Sequence, residues 1–212
     1  MKNTRIVLAL AITGLFSTAA FAQGAASEIE RNVNQQQRIE QGLQSGQLNT
    51  REAARLERGE SRVESMEAKA MKDGNLTNAE KGRINQAQNN LSRDIYQEKH
   101  DAQRGDPNSA SSQRMQADVQ RNINQQQRIE QGVRSGQLTT QEAGRLEQGQ
   151  ARTNRMEARA GADGHVGRNE QKNIQMAENR QSARIHHERH DGQQRGAQNQ
   201  HGGQHGGGHG RR

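Results

Sequence analysis

Asn34–Gly42 reads NQQQRIEQG, and Asn124–Gly132 reads NQQQRIEQG again. The match extends outward in both directions without a gap. Residues 27–101 align with residues 117–191 at a constant offset of 90, with about half of the positions identical. Both copies continue with SGQL, at Ser45–Leu48 and Ser135–Leu138, and both close on His-Asp, at His100 with Asp101 and His190 with Asp191. Solenoid repeats are shorter and need at least three copies to bury a core, so a single long duplication marks a complete supersecondary unit. The chain reads as two tandem modules, residues 27–101 and 117–191, with a linker over 102–116 and a tail over 192–212.

Periodicity makes each module three helices. The first is predicted from about Glu28 to Gln41, with Ile29, Val33, Ile39 and Leu43 sharing one stripe and Gly42 as its stop signal. The second is expected to start after Asn49 and run to about Ala70, on Ala53, Leu56, Val63 and Ala70. The third runs from Thr77 to His100, on Ile84, Ala87, Leu91 and Ile95. Counterparts in the second module include Val119, Ile123, Ile129, Val133, Leu138, Leu146, Met156, Val166, Ile174 and Ile185. The fold class is therefore all-α: two tandem three-helix modules of about 75 residues, followed by a disordered tail rich in Gly, Gln and His. Large aliphatics are sparse, so thin apolar seams are expected to hold the helices, with Glu and Arg spaced as solvated faces and i to i+4 pairs.

The first 22 residues carry the three parts of a secretory signal: Lys2 and Arg5, an apolar stretch from Ile6 to Phe16, and Ala20-Phe21-Ala22 before Gln23. That stretch is shorter than the roughly 20 residues needed to span a bilayer, so the mature protein is expected to be periplasmic or secreted, without a membrane span. Removing the leader takes away Lys2, Arg5 and both phenylalanines, lowering the net charge from +7 to +5 and leaving Tyr96 as the only aromatic of the Phe, Tyr and Trp kind. Nucleic-acid binding would call for clustered cations and stacking aromatics, so it is not expected. The chain has no cysteine, hence no disulfide framework and no thiol nucleophile. It also lacks HExxH and any nucleophile elbow or phosphate-binding glycine loop, which points to a non-enzyme.

Four helix junctions share a pattern of glycine, any residue, an aliphatic, and a glutamate four places on: Gly46 to Glu52, Gly74 to Glu80, Gly136 to Glu142 and Gly164 to Glu170. The spacing resembles the second half of an EF-hand loop. The positions of the first calcium ligands, however, hold Gln41, Leu43 and Ser45, or Lys69, Met71 and Asp73, with Gln131, Val133 and Ser135, then Arg159, Gly161 and Asp163, in the second module. A cationic first ligand repels calcium, so calcium binding by these loops is not expected, and no calcium is expected as a cofactor. The same residues make sense as capping boxes: Asn49 with Glu52, Thr77 with Glu80, Thr139 with Glu142, while Gly167 before Glu170 has no capping side chain. Taken as a whole, the repeat QQQRIEQG, SGQL, EA, RLE, DG and terminal HD resembles a family of small exported proteobacterial helical-repeat proteins with EF-hand-like loops. In type, though not in motif, the chain is similar to the Spy and CpxP periplasmic chaperones, which implies envelope-stress chaperoning or binding of unfolded clients, with an oligomer as one form.

Histidine supplies the remaining chemistry. Six of the eight histidines stand within residues 186–212: His186, His187 and His190 near the end of the third helix, and His201, His205 and His209 in the tail. His186 and His190 are one helical turn apart, and glycine spacers let tail imidazoles converge on one ion, so this set is the candidate site for zinc, copper or nickel. His100 and His190 also fit helix C-termini, where the macrodipole favours them. Two functions follow: weak, reversible transition-metal binding outside the duplication, or an envelope-stress chaperone or interaction scaffold using the duplicated amphipathic helices. Gln36 and Gln126, mid-stripe in both copies, mark either a partner-facing or a hydrogen-bonded polar seam.

Overall fold

In the computed structural model the described residues are 16–191, with side chains from residue 23. The leader's apolar stretch before Phe16 and the tail histidines His201, His205 and His209 lie outside them. The described residues form six α-helices and no strand: α1 (Phe16–Gln44), α2 (Thr50–Ala70), α3 (Asn78–His100), α4 (Ala110–Ser135), α5 (Thr140–Ala160) and α6 (Arg168–His190), with a 3₁₀ turn at Gly161–Asp163. No helix among them is long and apolar enough to cross a membrane.

The starts of α2, α3 and α5 follow from their capping residues. Asn49 Oδ1 accepts the Glu52 N–H at 3.0 Å while Glu52 accepts the Asn49 N–H at 2.9 Å. The same exchange joins Thr77 to Glu80 and Thr139 to Glu142. At α6 only half of it exists, because Glu170 accepts the Gly167 N–H at 2.8 Å and glycine has nothing to return.

Three expectations need correcting. α1 begins at Phe16, well before the expected start near Glu28. Gly42 does not stop the first helix, since α1 continues to Gln44; its missing side chain instead makes room for Leu48, whose Cδ1 would lie 2.5 Å from a Cβ there. Gly132 stands in the same relation to Leu138, at 2.6 Å. The left-handed turn that ends the helix is made by Gly46 (φ 70°) and, in the second module, by Gly136 (φ 79°). Nor are residues 102–116 all linker: Ser109 caps α4, so helix already begins at Ala110. The connection that precedes it is tied to the first module, the Gly105 N–H donating to the Gly46 carbonyl at 2.9 Å.

The two modules are interlocked. α2 packs most extensively on α5 and α1 on α4, each pairing larger than any contact within a module. α2 and α5 run antiparallel: Arg51 donates to the Asp163 carbonyl (2.8 Å), Ser61 Oγ to the Ala151 carbonyl (2.7 Å) and Gln141 Nε2 to the Lys72 carbonyl (3.0 Å). Two apolar clusters result, each built from both modules. One joins Leu43, Leu48, Leu56 and Ile95 to Met115, Ile123, Val166 and Ile174. The other joins Ile29, Met71, Leu76 and Ile84 to Ile129, Val133, Leu138 and Leu146. α2 gives Ala53, Ala54, Leu56 and Val63 to the first and Ala70, with Met71 just past its end, to the second, and a second buried stripe runs along its middle turns beside Val63.

The ends of this pairing approach closely at Gly144, where a Cβ would meet Met71 Cβ at 2.8 Å and the Ala68 carbonyl oxygen at 3.4 Å. Gly144→Val is expected to destabilise the protein by about 1–3 kcal/mol through overpacking. Gly82, exposed in α3 with nothing near its Cβ position, is the control: Gly82→Ala should stabilise by about 0.5–1 kcal/mol. Urea unfolding curves of the two variants measure both effects.

Candidate functional site

The end of α6 carries three of the five described histidines, His186, His187 and His190. His186 and His190 stack with ring centroids 4.3 Å apart and 20° between planes. Nδ1 of His190 lies 2.7 Å from the His186 carbonyl oxygen. A carbonyl only accepts, so this nitrogen carries a proton, and in the neutral ring Nε2 then keeps its lone pair, the tautomer that metal-ligating histidines adopt. His187 is exposed on the same turn but takes no part in the stack. In the first module the equivalent helix end stacks Tyr96 on His100, centroids 4.1 Å apart, with His100 Nδ1 2.7 Å from the Tyr96 carbonyl. The scaffold is thus duplicated, whereas the histidine pair exists only where His186 replaces tyrosine.

The second feature was not foreseen from the sequence. Where α2 crosses α5, the expected solvated acids are buried. Glu57, Glu60, Glu64 and Glu67 on α2 are all 0% exposed, as are Glu147 and Glu157 on α5. The 90-residue offset pairs Glu57 with Glu147 and Glu67 with Glu157, while Glu60 and Glu64 correspond to Gln150 and Asn154, also fully buried. Asp118 of α4 and Glu178 of α6 extend the layer. The acids of α2 are spaced 3-4-3, the rhythm of a buried helical seam, and this was the available signal; glutamate's preference for water obscured it.

Carboxamides supply most of the donors. Gln36 Nε2 donates to Glu57 at 3.0 Å, and its copy Gln126 donates to Glu147 at 3.0 Å and to Glu64 at 2.9 Å. Asn154 gives Glu64 a second donor at 2.9 Å. Asn32 Nδ2 reaches Glu67 at 2.7 Å, and Asn122 bridges both oxygens of Glu157 at 3.0 and 2.8 Å. Gln171 donates to Asp118 at 2.6 Å. The polar seam at Gln36 and Gln126 is therefore hydrogen-bonded inside the chain. Cations scarcely take part: Arg121 meets Glu178 at 3.2 Å, and no other ion pair among the described residues involves these carboxylates.

Donors run out before acceptors do. Of the 21 buried side-chain nitrogen and oxygen atoms without a hydrogen-bond partner among the described residues, 20 are oxygens, so the interior lacks protons rather than acceptors. Both oxygens of Glu60 are among them. Burial accordingly raises every one of these carboxyls. Glu57 is pushed up to about 8 and Glu147 to about 7, mainly by desolvation, with the hydrogen bonds from Gln36 and Gln126 opposing. Desolvation likewise raises Asp118 to about 7 and Glu178 to about 8. Glu60 rises well above its ordinary value through burial and then through Glu57, Glu67 and Glu147. A protonated carboxyl is a donor, so proton uptake supplies what the layer lacks.

The sign of the pH effect follows. These groups keep protons in the folded state that the unfolded chain releases above about pH 4.5, so their contribution is fully present below that pH and is lost as pH rises through about 7–8. Each such group lowers stability by about 1.4 kcal/mol per pH unit across that window. The urea midpoint is expected to be highest near pH 5 and to fall toward pH 8. Glu60→Gln, which copies Gln150, should raise stability by about 1–4 kcal/mol at pH 8 and leave it nearly unchanged at pH 5. A midpoint that rises between pH 5 and 8 would contradict this account.

No family model, curated protein or solved structure matches this chain, so its function has to be read from these two features of its own geometry.

Proposed function

We propose that the chain is an exported, non-enzymatic protein that binds a borderline transition-metal ion, zinc, copper(II) or nickel, through the histidines at and beyond the end of α6. The observation that carries this reading is the His186–His190 pair: two imidazoles on one helical face, with the Nδ1 of His190 occupied by a carbonyl and its Nε2 available. His187 stands on the same turn, and the Gly-spaced His201, His205 and His209 follow in sequence. Export rests on the leader at Met1–Ala22 and agrees with the absence of cysteine. The helical bundle is the scaffold. An envelope-stress chaperone would need apolar seams facing a client, whereas here the seams of the two modules face each other; the exposed large hydrophobics among the described residues are Tyr96 and Met176.

Calorimetric titration with zinc, copper(II) and nickel tests the reading on the full chain, on a chain ending at Asp191, and on the full chain carrying His186→Ala and His190→Ala. Binding is expected to weaken by at least tenfold in both altered chains, since even outer-shell partners of a metal are worth about 10–100-fold, while circular dichroism shows unchanged helicity. Equal binding by all three chains, or none by the full chain, would remove the histidines from the function.

A further inference from the structure

Both modules end on the same four-residue theme, Glu98-Lys99-His100-Asp101 and Glu188-Arg189-His190-Asp191. The fold returns the two acids of each ending to the first turn of that module's middle helix. One carboxylate oxygen from each of Glu52, Glu98 and Asp101 lies within 4.8 Å of the others, and Glu142, Glu188 and Asp191 form the same group 90 residues on. The glutamate at the base of each group is interior. Glu52 is 1% exposed, and while its Oε2 accepts the Asn49 N–H at 2.9 Å, its Oε1 has no hydrogen-bond partner. Glu142 repeats this, with Oε2 accepting the Thr139 N–H at 2.7 Å and Oε1 making no hydrogen bond, its one near partner being Arg145 at 3.9 Å.

Three carboxylates this close repel one another. The Glu98 carboxyl is held above its ordinary value by partial burial first and then by Glu52, with Arg55 opposing. The negative end of the α3 dipole, at Asp101, adds to the negative potential. A guanidinium already answers that field at each place. Arg55 Nη1 lies 3.9 Å from Glu98, and its copy Arg145 lies 3.9 Å from Glu142 Oε1 and 3.4 Å from Glu188. Both arginines are more than half exposed, at 59% and 53%, so they are free to swing away.

We propose that the two triads are a pair of equivalent binding sites for a hard divalent cation of the calcium type, held by Glu52, Glu98 and Asp101 and by Glu142, Glu188 and Asp191. Three anionic oxygens and no nitrogen or sulfur select a hard ion, with water completing the shell. Glu52 and Glu142 are the glutamates that close two of the EF-hand-like loops, but the other four ligands come from the ends of α3 and α6, and the loops' own first-half positions point elsewhere: Leu43, Met71 and Val133 are fully buried in the apolar clusters. Open, partly hydrated sites of this kind belong with the weak extracellular class, with Kd of about 10⁻⁴–10⁻³ M. The proposal is independent of the histidine reading, because imidazole suits borderline metals and not calcium.

Calcium is therefore the probe, titrated calorimetrically into the full chain. Two equivalent sites are expected. Glu98→Gln with Asp101→Asn should remove one of them, and adding Glu188→Gln with Asp191→Asn should remove both, with circular dichroism confirming retained helicity. Arg55→Gln, which removes the competing cation and touches no ligand, should tighten one site. Zinc binding by the four-carboxylate variant should stay at the wild-type level, which separates this proposal from the histidine site. An absence of calcium binding by the wild-type chain, an unchanged stoichiometry in the four-carboxylate variant, or an Arg55→Gln chain with unaltered affinity would each overturn it.

Discussion

A carboxylate that leaves water must find a proton, a cation or enough donors to replace its hydration, and the crossing of α2 with α5 takes several out of water at once. The rest of the bundle is arranged around that requirement. α1 and α4 bring Asn32, Gln36, Asn122 and Gln126 against the layer, each turning its amide nitrogen toward a glutamate. Apolar clusters close the structure at both ends, so the costly layer lies where water has least access. Register follows as well: sliding α2 along α5 would set Glu57 or Glu67 against the alanines, leucines and methionine of an apolar cluster, with no carboxamide in reach.

Duplication explains how such an interior arises. A module with a polar stripe beside its apolar one cannot bury both against its own third helix, but two copies related by near-symmetry offer each other the same mixed surface. Divergence then relaxes the result. Glu60 and Glu64 on α2 face a counterpart helix in which those positions are Gln150 and Asn154, which removes two acids and, at Asn154, supplies a donor to Glu64. The second module is in this sense the more comfortable half of the interface, and the first retains the greater demand for protons.

The proposed ligand sites lie at the module ends, away from this interior. The last turns of α3 and α6 present their side chains on the surface, where an ion can arrive without opening the bundle. Two substitutions, histidine for tyrosine between residues 96 and 186 and histidine for glutamine between residues 97 and 187, change the donor set of the two ends. The buried carboxylates, which take up protons, and the two proposed metal sites are thus kept apart by burial.

The sequence by itself determined the duplication, the all-helical class, three helices per module, the capping residues Asn49, Thr77 and Thr139, and the histidine pair one turn apart on a helix. All of these are local, because a helix period, an N-cap and an i to i+4 pair are complete within a few residues of chain. The same locality misled at Gly42, whose small size serves Leu48 and not a helix stop, and at the start of α4, which Ser109 places earlier than the repeat boundary. Tertiary structure alone decided that Glu57, Glu60, Glu64 and Glu67 are interior and that Glu52, Glu98 and Asp101 converge. Which side of a helix meets water depends on what another segment, here about 90 residues distant, lays against it. No property of glutamate announces that partner, and only the 3-4-3 spacing, shared with the uncharged Gln150 and Asn154, hinted that the stripe was a seam.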